Sequence, residues 1–90
     1  DHIAIQVGNI EESVNWYLNE FKCYLEYKDD TWAMINFNNI KLALVLSNQH
    51  PAHFAILKEK LDSKGTLHRD GSTSIYKKDI DGNKIELIKY

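Results

Sequence analysis

Cysteine and proline occur once each, as Cys23 and Pro51, and glycine four times. A lone cysteine forms no internal disulfide, so the fold must be held by its core, as expected in the cytoplasm. Long apolar runs are also missing. The longest, Leu42–Leu46, falls far short of the roughly 18 residues a membrane span needs. Neither charge sign dominates: 11 Lys and Arg stand against 13 Asp and Glu, a net charge of −2. That balance excludes a strongly basic nucleic-acid binder and a basic membrane-surface helix. There is no phosphate-binding glycine loop, cysteine-pair zinc site or nucleophile elbow. No signal peptide is visible, and a start at Asp1 implies a lost initiator methionine or trimming. What remains is a 90-residue chain, 43% hydrophobic and 11% aromatic, with room for one domain spanning 1–90.

Residues 2–7 read as a strand, broken by Gly8-Asn9. Asn9 suits an N-cap, with Glu11 and Glu12 in the first turn, where the helix dipole favours acids. Ile10, Val14, Tyr17, Leu18 and Phe21 recur at helical spacing, which predicts a helix over 10–21. Strands follow at 24–28, 32–37 and 40–47, the last two joined by a two-residue turn at Asn38-Asn39. Beyond a linker at 48–51 comes a strand at 53–56. A short helix over 57–64 is closed by Gly65 as its C′ residue. Strands are then expected at 66–70, 72–79 and 84–90, with a hairpin turn at Asp81-Gly82. Both halves therefore read β-α-β-β-β.

The halves also match in letters. Asp1-His2-Ile3-Ala4-Ile5 resembles Ala52-His53-Phe54-Ala55-Ile56, and Lys41-Leu42-Ala43-Leu44-Val45 resembles Lys84-Ile85-Glu86-Leu87-Ile88. Such a repeat predicts two α+β modules, 1–47 and 52–90, related by a pseudo-two-fold axis.

Side chains alternate along strands. Ile3, Ile5 and Val7 point one way, onto the helix, and His2, Ala4 and Gln6 the other. His53 and Ala55 oppose Phe54 and Ile56. Ala43 lies on one face of its strand with Lys41 and Val45. Glu86 lies on one face of its own with Ile88 and Tyr90. The bulky faces build a core. Small residues around convergent polar groups leave a concave cavity lined by His2, His53 and Glu86. Two histidines and a carboxylate on rigid strands form a metal-site composition that leaves coordination positions open, as in iron(II) facial triads.

These segments, with Asn15-Trp16-Tyr17 and Asp79-Ile80-Asp81-Gly82-Asn83-Lys84-Ile85-Glu86-Leu87, resemble the vicinal oxygen chelate superfamily: glyoxalase I, fosfomycin-resistance transferases, methylmalonyl-CoA epimerase, extradiol dioxygenases and bleomycin-resistance proteins. The resemblance covers nearly the whole chain. The family usually has proline where Ile80 stands. It implies paired βαβββ modules, their sheets curved around a cavity, with His2, His53 and Glu86 as metal ligands. Iron(II) or manganese(II) is favoured over zinc. A fourth ligand common in glyoxalase I and the epimerase falls on Ala43, which cannot coordinate. Three ligands resemble the extradiol dioxygenases and the fosfomycin enzymes instead.

Thr66-Leu67-His68, Ile75-Tyr76, Asp79, Gly82 and Glu86 follow the order of the dioxygenase signature. By that resemblance Tyr76 hydrogen-bonds a bound oxyanion and His68 supports the centre from behind. Ring-cleaving enzymes carry a further active-site histidine that this chain lacks, and they are much longer. The implied function is a metal-dependent dioxygenase, lyase or transferase acting on a small molecule that chelates through adjacent oxygens. The alternative is a metal-free small-molecule binder of the bleomycin-resistance kind. Neither nucleic acid nor membrane is implied as a partner. A homodimer is expected, with Trp16, which lies off the helix's apolar stripe, as a candidate contact. Residues 68–72 read as a solvated turn, and Cys23 as a small buried hydrophobe.

Overall fold

The computed structural model describes residues 1–61, 64–68 and 71–90. Element order is β1 (His2–Val7), α1 (Ile10–Glu20), β2 (Tyr24–Lys28), β3 (Trp32–Asn36), β4 (Lys41–Leu46), β5 (His53–Leu57), β6 (Thr66–Leu67), β7 (Thr73–Lys78) and β8 (Lys84–Lys89). The eight strands form one mixed sheet, curved and unclosed, in the order β2-β3-β4-β1-β5-β8-β7-β6. That order is the same read from either edge when each half is numbered by its own first strand.

The register makes the symmetry specific. β1 and β5 are antiparallel, with His2 opposite Ala55, Ile3 opposite Phe54 and Ala4 opposite His53. A two-fold through the Ile3–Phe54 pair therefore exchanges His2 with His53 and Ala4 with Ala55. Next to Ala4 in the parallel β1–β4 pair is Ala43. Next to Ala55 in the parallel β5–β8 pair is Glu86. Ala43 and Glu86 are thus equivalent positions, as the letter match implied.

Helix α1 starts where local chemistry directs. The Asn9 side chain accepts from the Glu12 N–H at 2.9 Å, and Glu11 and Glu12 fill the first turn. Ile10 and Val14 are buried against Ala33, Ile35 and Leu44, with Ile5, Val7, Tyr17, Leu42 and Leu46 packed around them. Leu18 and Phe21, placed on the stripe by spacing, are 37% and 50% exposed. Phe21 instead meets Phe37 edge-on, 5.9 Å between ring centres. The opposite face of the first half holds a smaller cluster of Ala4, Ala43 and Val45 with Trp32 and Met34.

Three local expectations are corrected. No helix forms over Leu57–Leu61: β5 runs one residue further, to Leu57, and the Lys58 N–H bonds the Ile88 carbonyl at 2.8 Å. The backbone there is spent on the sheet ladder, and the lysines and glutamate that follow offer no apolar stripe to bury. Residues 62 and 63, the end of the expected helix, lie outside the described residues, as do 69 and 70 of the expected sixth strand. Gly65 is not a helix cap either. A Cβ there would meet the Ser74 carbonyl oxygen at 2.5 Å, so glycine lets this segment approach β7 closely. Finally, the last hairpin closes at Asp79 and Asn83, not around Asp81-Gly82 alone. The Asp79 N–H bonds the Asn83 carbonyl at 3.0 Å, the Gly82 N–H bonds the Asp79 carbonyl at 3.1 Å, and Gly82 takes φ +86. This is a three-residue loop with glycine in the left-handed position. The Asn38-Asn39 turn forms as expected, with Asn38 at φ 76.

The β2–β3 turn rests on one carboxylate. Asp29 accepts from the Thr31 and Trp32 N–H groups at 2.8 and 3.0 Å and from the Tyr27 hydroxyl at 2.5 Å. Burial opposes ionisation, but these bonds outweigh it and hold the Asp29 pKa at about 2, below the ordinary 3.8. A depressed folded-state pKa contributes stability above the unfolded value, lost as pH falls through the folded one. Asp29→Ala should therefore cost about 1 kcal/mol at neutral pH, and the difference from wild type should close between pH 4 and pH 2 in urea melts.

Candidate metal centre

Three side chains converge on the concave face near the two-fold. One ligand atom each from His2, His53 and Glu86 lies within 4.8 Å of the other two. The contacts are tighter than that limit. His2 Nε2 and His53 Nε2 are each 3.3 Å from Glu86 Oε1, and 3.4 Å from one another. The three side chains are nearly buried, at 8%, 4% and 6% exposure.

Their convergence follows from the register. His2 and His53 sit diagonally across the β1–β5 pair, and Glu86 lies beside Ala55, directly across from His2. Ala4 and Ala55, both buried, supply the clearance between them.

The outer nitrogen of each ring is occupied. His2 Nδ1 is 2.7 Å from Asp1 Oδ2, and His53 Nδ1 is 2.8 Å from the Pro51 carbonyl. Both partners only accept, so each Nδ1 carries a proton; each Nε2 then offers its lone pair to a cation or, when protonated instead, donates to Glu86. Two imidazole lone pairs and a carboxylate oxygen then face one point, an arrangement that one cation satisfies. Ligand atoms bonded to a single ion at about 2.1 Å, at angles between octahedral and tetrahedral, stand roughly 3.0–3.4 Å apart. The observed 3.3, 3.3 and 3.4 Å fall in that span. The donor set fits a divalent metal.

Glu86 is buried yet stays ionised. Burial pushes its pKa up, but hydrogen bonds from His2, His53 and Ser74, with the His2 charge, hold it well below the usual carboxylate range. Its second oxygen faces β7 and the segment before it. His68 Nε2 is 3.7 Å from Glu86 Oε2 and 2.6 Å from Ser74 Oγ. Tyr76, across from Glu86 in the β7–β8 pair, packs edge-on to the His53 ring with centres 5.2 Å apart. Burial, repulsion from the Glu86 charge and a hydrogen bond to that carboxylate push the Tyr76 hydroxyl up to about 12.

Of the five site residues expected from the sequence, His2, His53, His68 and Tyr76 lie around the carboxylate of the fifth, Glu86. Ser74, 2% exposed, is one that residue reasoning passed over. Its signal was present, since Ser74 and Tyr76 share a strand face. Asp1 and the Pro51 carbonyl were also missed, because backbone acceptors and chain-adjacent partners leave no spacing pattern. Ala43 is buried beside Ala4 on the concave face and offers no ligand atom. An open groove of about 520 Å³ adjoins His2 and His53, bordered by Ile3, Ile40 and Phe54.

No protein-family model matches the chain, and no curated protein matches it. Solved structures resemble it in fold. One is a glyoxalase/bleomycin resistance protein/dioxygenase from Alicyclobacillus acidocaldarius, 17% identical, covering 100% of this chain and 89% of its own, with a TM-score of 0.48. A bleomycin-binding protein complexed with bleomycin is 10% identical over 97% of this chain and 94% of its own, at 0.44. A member of the same superfamily from Sphaerobacter thermophilus DSM 20745 is 12% identical over 100% and 97%, at 0.38. Strand order and register, described above, carry the fold.

Proposed function

We propose that this chain is a vicinal oxygen chelate protein and a divalent-metal-dependent enzyme, with His2, His53 and Glu86 as the ligands. The observation that carries the reading is the spacing of the three ligand atoms, 3.3, 3.3 and 3.4 Å, with both Nδ1 atoms already engaged. Two histidines and one carboxylate on one side of an ion favour iron(II) or manganese(II) over zinc. When bound, such a metal supplies Lewis acidity to a small molecule that chelates through two adjacent oxygens. The chemistry is dioxygenase-like or glyoxalase- and transferase-like.

The chain's own residues do the rest. Asp1 and Pro51 fix the ring tautomers. Ser74 bonds the Glu86 carboxylate, and His68, 2.6 Å from the Ser74 hydroxyl, backs that bond. Tyr76 keeps its proton at any physiological pH and is a hydrogen-bond donor at the Glu86 carboxylate. Ala43, at the position equivalent to Glu86, offers no fourth ligand.

Metal analysis of protein purified without chelators tests the reading. About one divalent ion per chain is expected, and none in His2→Ala. Tyr76→Phe should keep its metal, since Glu86 retains its bond from Ser74, while turnover of a chelating substrate falls by about a hundredfold as charge developing on the substrate loses the hydroxyl. Loss of metal in that variant would make Tyr76 a structural residue.

The second reading, a metal-free binder, is favoured by one observation, the open groove beside the histidines. No described helix is long and apolar enough to cross a membrane. We further propose a cytoplasmic protein that pairs through the α1 face bearing Trp16. That ring is 53% exposed and stacked edge-on against Tyr17 and Phe21. Light scattering at tens of micromolar should give twice the chain mass.

A further inference from the structure

The pseudo-two-fold that pairs His2 with His53 also pairs their lateral neighbours, and there the two halves differ in charge. In the first half, Lys41 precedes Ala43 by two residues and lies across from Asn36. It is neutralised by Glu26 Oε2 at 3.4 Å, while Asn36 donates to Glu26 Oε1 at 2.7 Å. The equivalent positions in the second half are Lys84, directly beside His53, and Lys78, directly across from Lys84.

Residues in register on neighbouring strands share a face, about 4.8 Å apart. Lys78, Lys84 and His53 therefore form one row on the concave side. Among the described residues, neither lysine makes an ion pair. Among the described residues, the acids adjoining them in the β7–β8 hairpin are committed elsewhere. Asp79 accepts from the Asp81 and Asn83 N–H groups at 2.9 and 2.8 Å and from the Asn83 side chain at 3.0 Å. Glu86, two residues along the same face as Lys84, is turned to His2 and His53. Like charges directly across a strand pair repel and lower stability. Two such cations beside the candidate centre, unpaired among the described residues, favour an anion.

We propose that Lys78 and Lys84 form an anion subsite, and that the substrate carries a carboxylate or phosphate-type group within one small ring or chain length of its two chelating oxygens. The chelating end lies at His2, His53 and Glu86, and the anionic end lies on the β7–β8 side, past His53. The inference rests on the metal reading of that triad, and the test separates the two.

Manganese(II)-loaded protein is titrated by calorimetry with catechol and with 3,4-dihydroxybenzoate, which share a chelating pair and differ by one carboxylate. Wild type should prefer the carboxylated probe. In the Lys78→Gln/Lys84→Gln double variant that preference should shrink by about tenfold, two charge-assisted contacts being lost. Lys41→Gln, whose lysine is already paired, should keep it. An unchanged preference in the double variant overturns the subsite while leaving the metal centre standing. If wild type retains no manganese, the metal reading fails, and inorganic phosphate decides the subsite alone. Amide shifts at residues 78 and 84 that are absent in the double variant support it. No shift at millimolar phosphate overturns it.

Discussion

Glu86→Gln should leave a folded chain that binds no metal. The substitution keeps the shape of the side chain and removes its charge. Glu86 sits 3.3 Å from both imidazole nitrogens, and its burial means no solvent or exposed acid can replace it. Metal content should fall from about one ion per chain to below about a tenth, read by elemental analysis after chelator-free purification. The amide can still accept from Ser74 and Tyr76, so stability of the metal-free protein should change by no more than about 1–2 kcal/mol. Glu86→Ala should lose metal equally and lose more stability, because its hydrogen-bonding neighbours are left buried without a partner. Stoichiometric metal in Glu86→Gln would place the ion elsewhere. A small ligand bound equally by wild type, by Glu86→Ala and by chelator-treated protein would establish the metal-free reading instead.

Manganese(II) should raise the melting temperature by more than about 10 °C. An ion bound only by the folded state stabilises it by about 4 kcal/mol at a thousandfold excess over Kd. In a domain of this size each kcal/mol is worth roughly 4–8 °C. His53→Ala should abolish the shift, since it removes one of three ligands while leaving the second-half strands paired through their backbones. The effect has a defined pH sign. Protons compete with the metal for the two inward imidazole nitrogens, so the shift shrinks as pH falls. The Glu86 carboxylate does not add to that loss in mildly acid solution, because burial, which raises its pKa, is outweighed by the bonds from His2, His53 and Ser74. Differential scanning fluorimetry across pH, with and without manganese(II), reads both. A metal-independent melting temperature at neutral pH would contradict the proposed centre.

Reading faces from alternation succeeded where each strand is regular. Ile5 and Val7 pack on α1 while Ala4 turns to the concave side with Ala43, as period two requires. The letter repeat carried the equivalence of His2 with His53 and of Ala43 with Glu86, since a duplicated module repeats its register. The short helix expected after β5 had only Gly65 as a C′ residue to mark it, and the backbone has a stronger alternative. The chain there bonds Ile88 and continues the sheet. Gly65 was legible as special but not for its reason, because a contact with Ser74 depends on where β7 lies.

The sequence by itself determined which side chains share a face and which positions are equivalent between halves, because both follow from local period and from repetition along the chain. Only the tertiary structure decided how near those side chains come. The distances between His2, His53 and Glu86 arise from registers between strands far apart in sequence, and the same β5–β8 register sets Lys84 and Lys78, without an ion pair among the described residues, beside His53. Register is a property of paired backbones and packed faces, and no single segment encodes it alone.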